Sequence, residues 1–171
     1  LVLDQGFYPE GIWTAPNDED LKNDIVLGKE AGFNGARLHQ KVFEERYYYW
    51  ADKLGLLIMA DTPNFWGEPT DSAKKDWEHC MRAQVKRDYN HPSIFSWVNF
   101  NETWGLFTNT GGTDEKGKAK RAFLPETQEW VRNMYHETKK LDPSRLVEDN
   151  SPCNEDHVQT DLNTWHGYHP G

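Results

Sequence analysis

Asn101 and Glu102 close a run of β-forming residues, Ile94 to Phe100, that begins after an Asn90-His91-Pro92 turn. A proline just past a helix cannot prolong it, so the chain restarts as a strand and delivers a carboxylate at its end. In chains that alternate strands with helices, the loops above the strand ends gather the chemistry. A Glu in that place can act as an acid or base, or can simply cap the next helix or face water. Trp97, Phe100 and Trp104 beside it favour a sugar pocket, because a pyranose ring lays its apolar face on an aromatic ring.

Other polar residues stand where apolar runs give out: Asp4, Arg37 with His39, Asp61, Asp149 with Asn150, and His166 with Tyr168. The elements that must position them alternate. Strands are expected at 1–3, 33–39, 56–60, 94–102, 146–148 and 161–168, from β-branched and apolar content between turn residues. Helices are expected at 18–31, 42–54, 71–89 and 127–141. The first opens on Asp18-Glu19-Asp20, which suit a helix N-terminus, and Gly32 and Gly55 suit C-terminal caps. The polar, Gly- and Lys-rich stretch from Thr108 to Lys120 reads as a mobile excursion above the pocket.

Strand, helix, strand with short connections means parallel strands and right-handed crossovers. A doubly wound sheet and a (β/α) barrel both satisfy that rule. No Gly-rich phosphate loop follows the first strand, and nearly every strand end is polar, which favours the α/β TIM barrel, where every strand end faces one pocket. With about six strands the barrel is incomplete, and residues 1–171 are expected to form one partial domain.

A net charge of -9 excludes nucleic acid as a partner, since that needs a basic stripe to displace counterions. No apolar run approaches the roughly 20 residues that cross a bilayer, so no membrane partner is expected. The spacing of Cys80 and Cys153 forms no metal or redox motif and gives two free thiols. Compartment is open. Of the eight Trp, Trp50, Trp77 and Trp130 fall in helices and read as packing. Trp13, Trp66, Trp104 and Trp165 stand among turn residues, where ligand walls occur.

The order Gly32-Phe33-Asn34-Gly35-Ala36-Arg37-Leu38-His39, then Trp50-Ala51-Asp52-Lys53-Leu54-Gly55-Leu56-Leu57, then Asn90-His91-Pro92-Ser93-Ile94 leading to Asn101-Glu102, closely resembles the catalytic barrel of glycoside hydrolase family 2. The likeness runs from Leu3 to Tyr168. It implies a retaining hydrolase of β-linked glycosides, in the β-galactosidase, β-glucuronidase and β-mannosidase group, with Glu102 as acid/base and Asn101 holding the sugar 2-hydroxyl. By the family pattern the attacking Glu ends a seventh strand, so this chain is expected to be part of a larger enzyme whose remaining domains are its partners.

The resemblance also implies that Arg37 supports the nucleophile and that His166 and Tyr168 line the sugar subsite. His39 is expected to border the sugar. Asp61 either binds a hydroxyl or caps its loop, and Trp13 and Trp66 are candidate stacking walls. Some relatives hold a divalent ion with a Glu and a His after the third strand. Asp61-Thr62-Pro63-Asn64 stand there, so neither a metal nor another cofactor is expected. The alternative is a carbohydrate-binding half-barrel without turnover.

Overall fold

The structure is a computed structural model that describes residues 1–102, 106–152 and 156–168. Trp104, Cys153 and His169 lie outside the described residues. The elements follow as β1 (Val2–Asp4), α1 (Asp18–Glu30), β2 (Gly35–Leu38), α2 (Glu45–Leu54), β3 (Leu57–Asp61), α3 (Asp71–Asp88), β4 (Ile94–Asn101), β5 (Phe107–Thr113), β6 (Ala119–Phe123), α4 (Pro125–Leu141) and β7 (Leu146–Ser151). Five strands form one parallel sheet in the order β1-β2-β3-β4-β7. The order never reverses, as a doubly wound sheet would require, and this is the layout of an incomplete (β/α) barrel.

Local chemistry sets the helix ends. Asn17 accepts from the Asp20 N–H to cap α1, Thr70 accepts from the Ala73 N–H to cap α3, and Pro125 opens α4. Gly55 closes α2 at φ 71°, a left-handed conformation that costs a glycine nothing. α2 starts at Glu45 rather than Val42, because Phe43 turns into the core ahead of it.

The helices cover one face of the sheet. Ala36, Leu38, Ile58, Ala60, Trp97 and Val147 join Ile25, Tyr48, Met81 and Val131 in the apolar core. Side chains alternate along a strand, so Arg37 and Asp61 fall on the opposite face. β4 departs from that alternation near its end. Asn99 accepts from Thr138 of α4 at 3.2 Å, and the next residue, Phe100, stacks on Trp77 of α3 with ring centroids 4.2 Å apart. Two successive residues thus face the helices while the register with β7 holds from Val98↔Glu148 to Phe100↔Asn150, and Asn101 turns back to the face that carries Arg37.

Three expectations are corrected. Trp97 and Phe100 are not pocket walls: both are buried against the helices, where apolar rings gain most. The polar stretch 108–120 is largely ordered into the antiparallel hairpin β5–β6. The segment 161–168 is not a sixth strand. It runs beside β7, with Asp161 N–H donating to Val147 O and His166 N–H to Pro152 O, both at 2.9 Å. Between these bonds, side chains replace the ladder: Asp161 accepts from Val147 N–H and Thr164 donates to Glu148. Short polar side chains that bond the neighbouring backbone compete with strand pairing.

Asp142, at the end of α4, ties β4 to the following turn by accepting from Trp97 Nε1 at 2.9 Å, from Arg145 Nη1 at 2.6 Å and from the Ser144 hydroxyl. Burial works against its charge, but the bonds from Ser144, Arg145 and Trp97 prevail and hold the carboxyl at about 2. A carboxyl depressed on folding stabilises the protein above its unfolded value of 3.8 and loses that stabilisation as pH falls toward 2. Asp142→Asn should therefore cost about 2 kcal/mol in urea unfolding at pH 7, and the deficit should shrink as the pH is lowered through that window.

Candidate active site

Arg37 organises the polar ends of four strands. Its Nε and Nη2 donate to the Asp61 carboxylate at 2.8 to 3.2 Å, Nη2 also donates to Asn101 Oδ1 at 2.7 Å, and Nη1 donates to Ser151 Oγ at 2.7 Å and His166 Nε2 at 2.9 Å. Burial works against the Arg37 charge, but Asp61 beside it, with Glu148 and Glu102 further off, holds the guanidinium above its usual range. Burial pushes the Asp61 carboxyl up, while Arg37 and the Gln40 N–H pull the other way. Asp61 is 1% exposed. Its oxygens are engaged by Arg37 and by the Gln40 N–H, an arrangement that holds Arg37 in place.

Glu102 leaves the strand at φ 52°. A left-handed backbone costs a non-glycine residue about 1 to 3 kcal/mol, and here it is held by the Glu102 N–H donating to Ser151 O at 2.7 Å. Two donors meet the same carboxylate oxygen, Oε1: His166 Nδ1 at 3.0 Å and the Tyr168 hydroxyl. The tautomer of His166 follows from its other neighbour. A guanidinium can only donate, so Nε2 accepts from Arg37, the ring proton sits on Nδ1, and that N–H donates to Glu102. Arg37 thereby sets the orientation of the carboxylate through one imidazole. It also orients the amide of Asn101, whose oxygen accepts from Arg37 and whose side chain is hydrogen-bonded with His39 as well.

Glu102 and Asn101 line a cleft of about 640 Å³ with Gln5, His39, Gln40, Trp66, Trp165, His166 and Tyr168. Trp66 is 78% and Trp165 58% exposed, rings offered to solvent beside a carboxylate. Trp13 lies in an adjoining hollow that shares Gln5, His39 and Gln40, edge-on to Phe7. Burial, then the Arg37 charge, push His39 down, and Gln5 Nε2 lies 3.2 Å from its Nδ1. A neutral ring here borders the cleft.

Of the residues singled out by sequence, Glu102, Asn101, His39, Trp66, His166 and Tyr168 therefore converge. Arg37 and Asp61 lie beneath them, and Trp13 stands to one side. Asp149 turns away to accept from His157 and from the Val158 and Gln159 N–H groups. Trp165, which the sequence placed among turn residues, also lines the cleft, whereas sequence reasoning missed Gln5, Gln40 and Ser151 as cleft or network residues. Ser151 was within reach, since the polar run Asp149-Asn150-Ser151 continues the strand past Glu148. Nothing in the sequence marks Gln40, whose φ of 52° turns its N–H onto Asp61. Among the described residues no group of three or more His, Cys, Asp or Glu side chains is gathered as a metal site, and no helix is long and apolar enough to cross a membrane.

The chain belongs to the glycosyl hydrolases of family 2: residues 14–166 match the model of the family's TIM barrel domain. A β-galactosidase of Vibrio vulnificus is 32% identical over 139 residues, which are 77% of this chain and 11% of that protein. A β-glucuronidase of Streptococcus agalactiae is 32% identical over 97 residues, 46% of this chain and 16% of that protein. Among solved structures, a β-galacturonidase of Eisenbergiella tayi bound to galacturonate superposes with a TM-score of 0.71 at 22% identity, over 88% of this chain and 24% of that one. This chain thus spans well under a third of the length of these proteins.

Water favours the Nε2–H tautomer of imidazole, so the assignment for His166 is distinctive. Nitrogen-15 spectra of the ring should give a protonated, pyrrole-type Nδ1 and a bare, pyridine-type Nε2. The opposite pattern would mean that Arg37 does not direct the ring.

Proposed function

We propose that residues 1–171 are part of the TIM-barrel catalytic domain of a retaining β-glycosidase and carry its acid/base half. Glu102 protonates the leaving glycosidic oxygen and then, as the carboxylate, takes a proton from the incoming water. The observation that carries this reading is the placement of Glu102 at a strand end, with Oε1 held by His166 and Tyr168 in a cleft walled by exposed Trp66 and Trp165. Asn101, its amide set by Arg37, donates to the 2-hydroxyl of the bound sugar, a contact that strengthens in the transition state. His39 borders the sugar, and Trp66 with Trp165 offers stacking faces.

A retaining mechanism needs a second carboxylate about 5 Å from the first. Among the described residues Glu102 is the one acidic side chain lining the cleft. Asp61 is bound to Arg37, and Glu148 is fully buried and accepts from Thr164. We read the nucleophile as supplied by a part of the enzyme outside this chain, a reading supported by Glu102 being the one acidic side chain that lines the cleft among the described residues. On its own the chain holds a sugar and a proton donor without the covalent route. For the isolated polypeptide, the same lining supports the second reading, binding without turnover.

The enzyme that contains this chain tests the role of Glu102. With an activated aryl β-glycoside, Glu102→Ala should lower the steady-state rate by about 10² to 10⁴, because the covalent intermediate waits for a base. Added azide needs no base and should restore turnover while giving the β-glycosyl azide. Unimpaired hydrolysis, or no azide product, would remove Glu102 from the mechanism.

A further inference from the structure

An acid that protonates the leaving oxygen lies on the leaving-group side of the bond, and the hairpin β5–β6 is the element that follows Glu102 in the sequence. In a protein of net charge -9, this hairpin sets Lys116, Lys118, Lys120 and Arg121 against Asp114 and Glu115 alone. It is rooted in the core. Leu106, 1% exposed, accepts from Leu124 N–H at 2.9 Å, and the rings of the cross-strand pair Phe107 and Phe123 meet edge to face, 6.4 Å apart.

Alternation puts Ala119, Arg121 and Phe123 on one face of β6 and Lys120 on the other. The first face, with Phe107, Asp114, Lys118 and Asp156, lines a cleft of about 620 Å³ separate in lining from that of Glu102. The Arg121 guanidinium lies over the Phe107 ring, 4.3 Å from its centroid, and no ion pair among the described residues involves Arg121 or Lys118. Asp114 spends its Oδ1 on the Lys116 and Lys118 N–H groups of the turn. A guanidinium over a ring can still offer N–H groups to a planar or tetrahedral anion, which it meets bidentately.

We propose that this cleft is a subsite for an acidic sugar on the leaving-group side of the substrate, with Arg121 and Lys118 meeting its anionic group and Phe107 and Phe123 its ring. Its place relative to the scissile bond rests on the reading of Glu102 as the acid. Its charge selectivity does not. The anion is a ring carboxylate or a sulfate ester, which present the same pair of acceptor oxygens to Arg121.

The test is a calorimetric and NMR titration of the protein with three oligosaccharides: a uronic-acid oligomer, its carboxyl-reduced neutral counterpart, and a sulfated oligomer. At least one acidic oligomer should bind roughly tenfold or more tightly than the neutral one, with amide shifts concentrated at the hairpin, and the one that does so names the anion. Arg121→Ala should abolish that preference. Lys120→Ala, which removes the same charge from the opposite face, should keep most of it, and Glu102→Gln should keep all of it. Equal binding of neutral and acidic oligomers, no binding, or equal losses in the Arg121 and Lys120 variants would overturn the subsite. No turnover enters the measurement, so an inactive enzyme would count against the acid/base reading alone.

Discussion

A guanidinium cut off from water needs an acceptor for its N–H groups, and Arg37 finds them at the ends of three other strands and in the segment beyond. Asp61 on β3, Asn101 on β4, Ser151 on β7 and His166 all point at one side chain from β2. Removing one partner of such a buried pair costs about 3 to 5 kcal/mol, because the other charge is left uncompensated. The strand ends can therefore sit in only one arrangement relative to one another. The same bonds set the Asn101 amide and the His166 tautomer, so the orientation of Glu102 is a consequence of how the sheet closes over Arg37.

The opposite face of the sheet explains why the arrangement is rigid. Trp77, Phe100 and Trp130 form a packed aromatic group, with Phe100 at 4.2 Å and 5.0 Å from its two neighbours. Because Phe100 is fixed among the helices and Asn99 is bonded to α4, the break in alternation at the end of β4 cannot relax. The left-handed backbone of Glu102 is sustained by that packing on one side and by Ser151 on the other.

Much of this was legible in the residues, and the remainder was not, for separable reasons. Apolar runs between turn residues were enough to place the four helices and the five strands of the sheet, and the polar strand ends marked the pocket side. The direction of Trp97 and Phe100 was not readable, since a run buried on both faces carries no alternation to say which ring goes where. The segment 161–168 has the spacing of a strand, but Thr160, Asp161 and Thr164 take the hydrogen bonds that a ladder would need. Asp61 read as either a ligand for a hydroxyl or a cap for its loop, and its pairing with Arg37 on the neighbouring strand was not readable, because ion pairs between residues distant in sequence leave no local pattern.

Family membership, the barrel and the geometry of Glu102 support the proposal that proton donation to a leaving sugar oxygen is the central event. Its most direct measure is the dependence of hydrolysis on leaving-group acidity in the enzyme that contains this chain. Across aryl β-glycosides whose phenols span a wide range of pKa, the first chemical step of the unmodified enzyme should vary little, because Glu102 supplies a proton to poor leaving groups. In Glu102→Ala the same series should fall steeply as the phenol becomes less acidic, with the best leaving groups nearly unaffected. Parallel slopes in the two proteins would contradict the account.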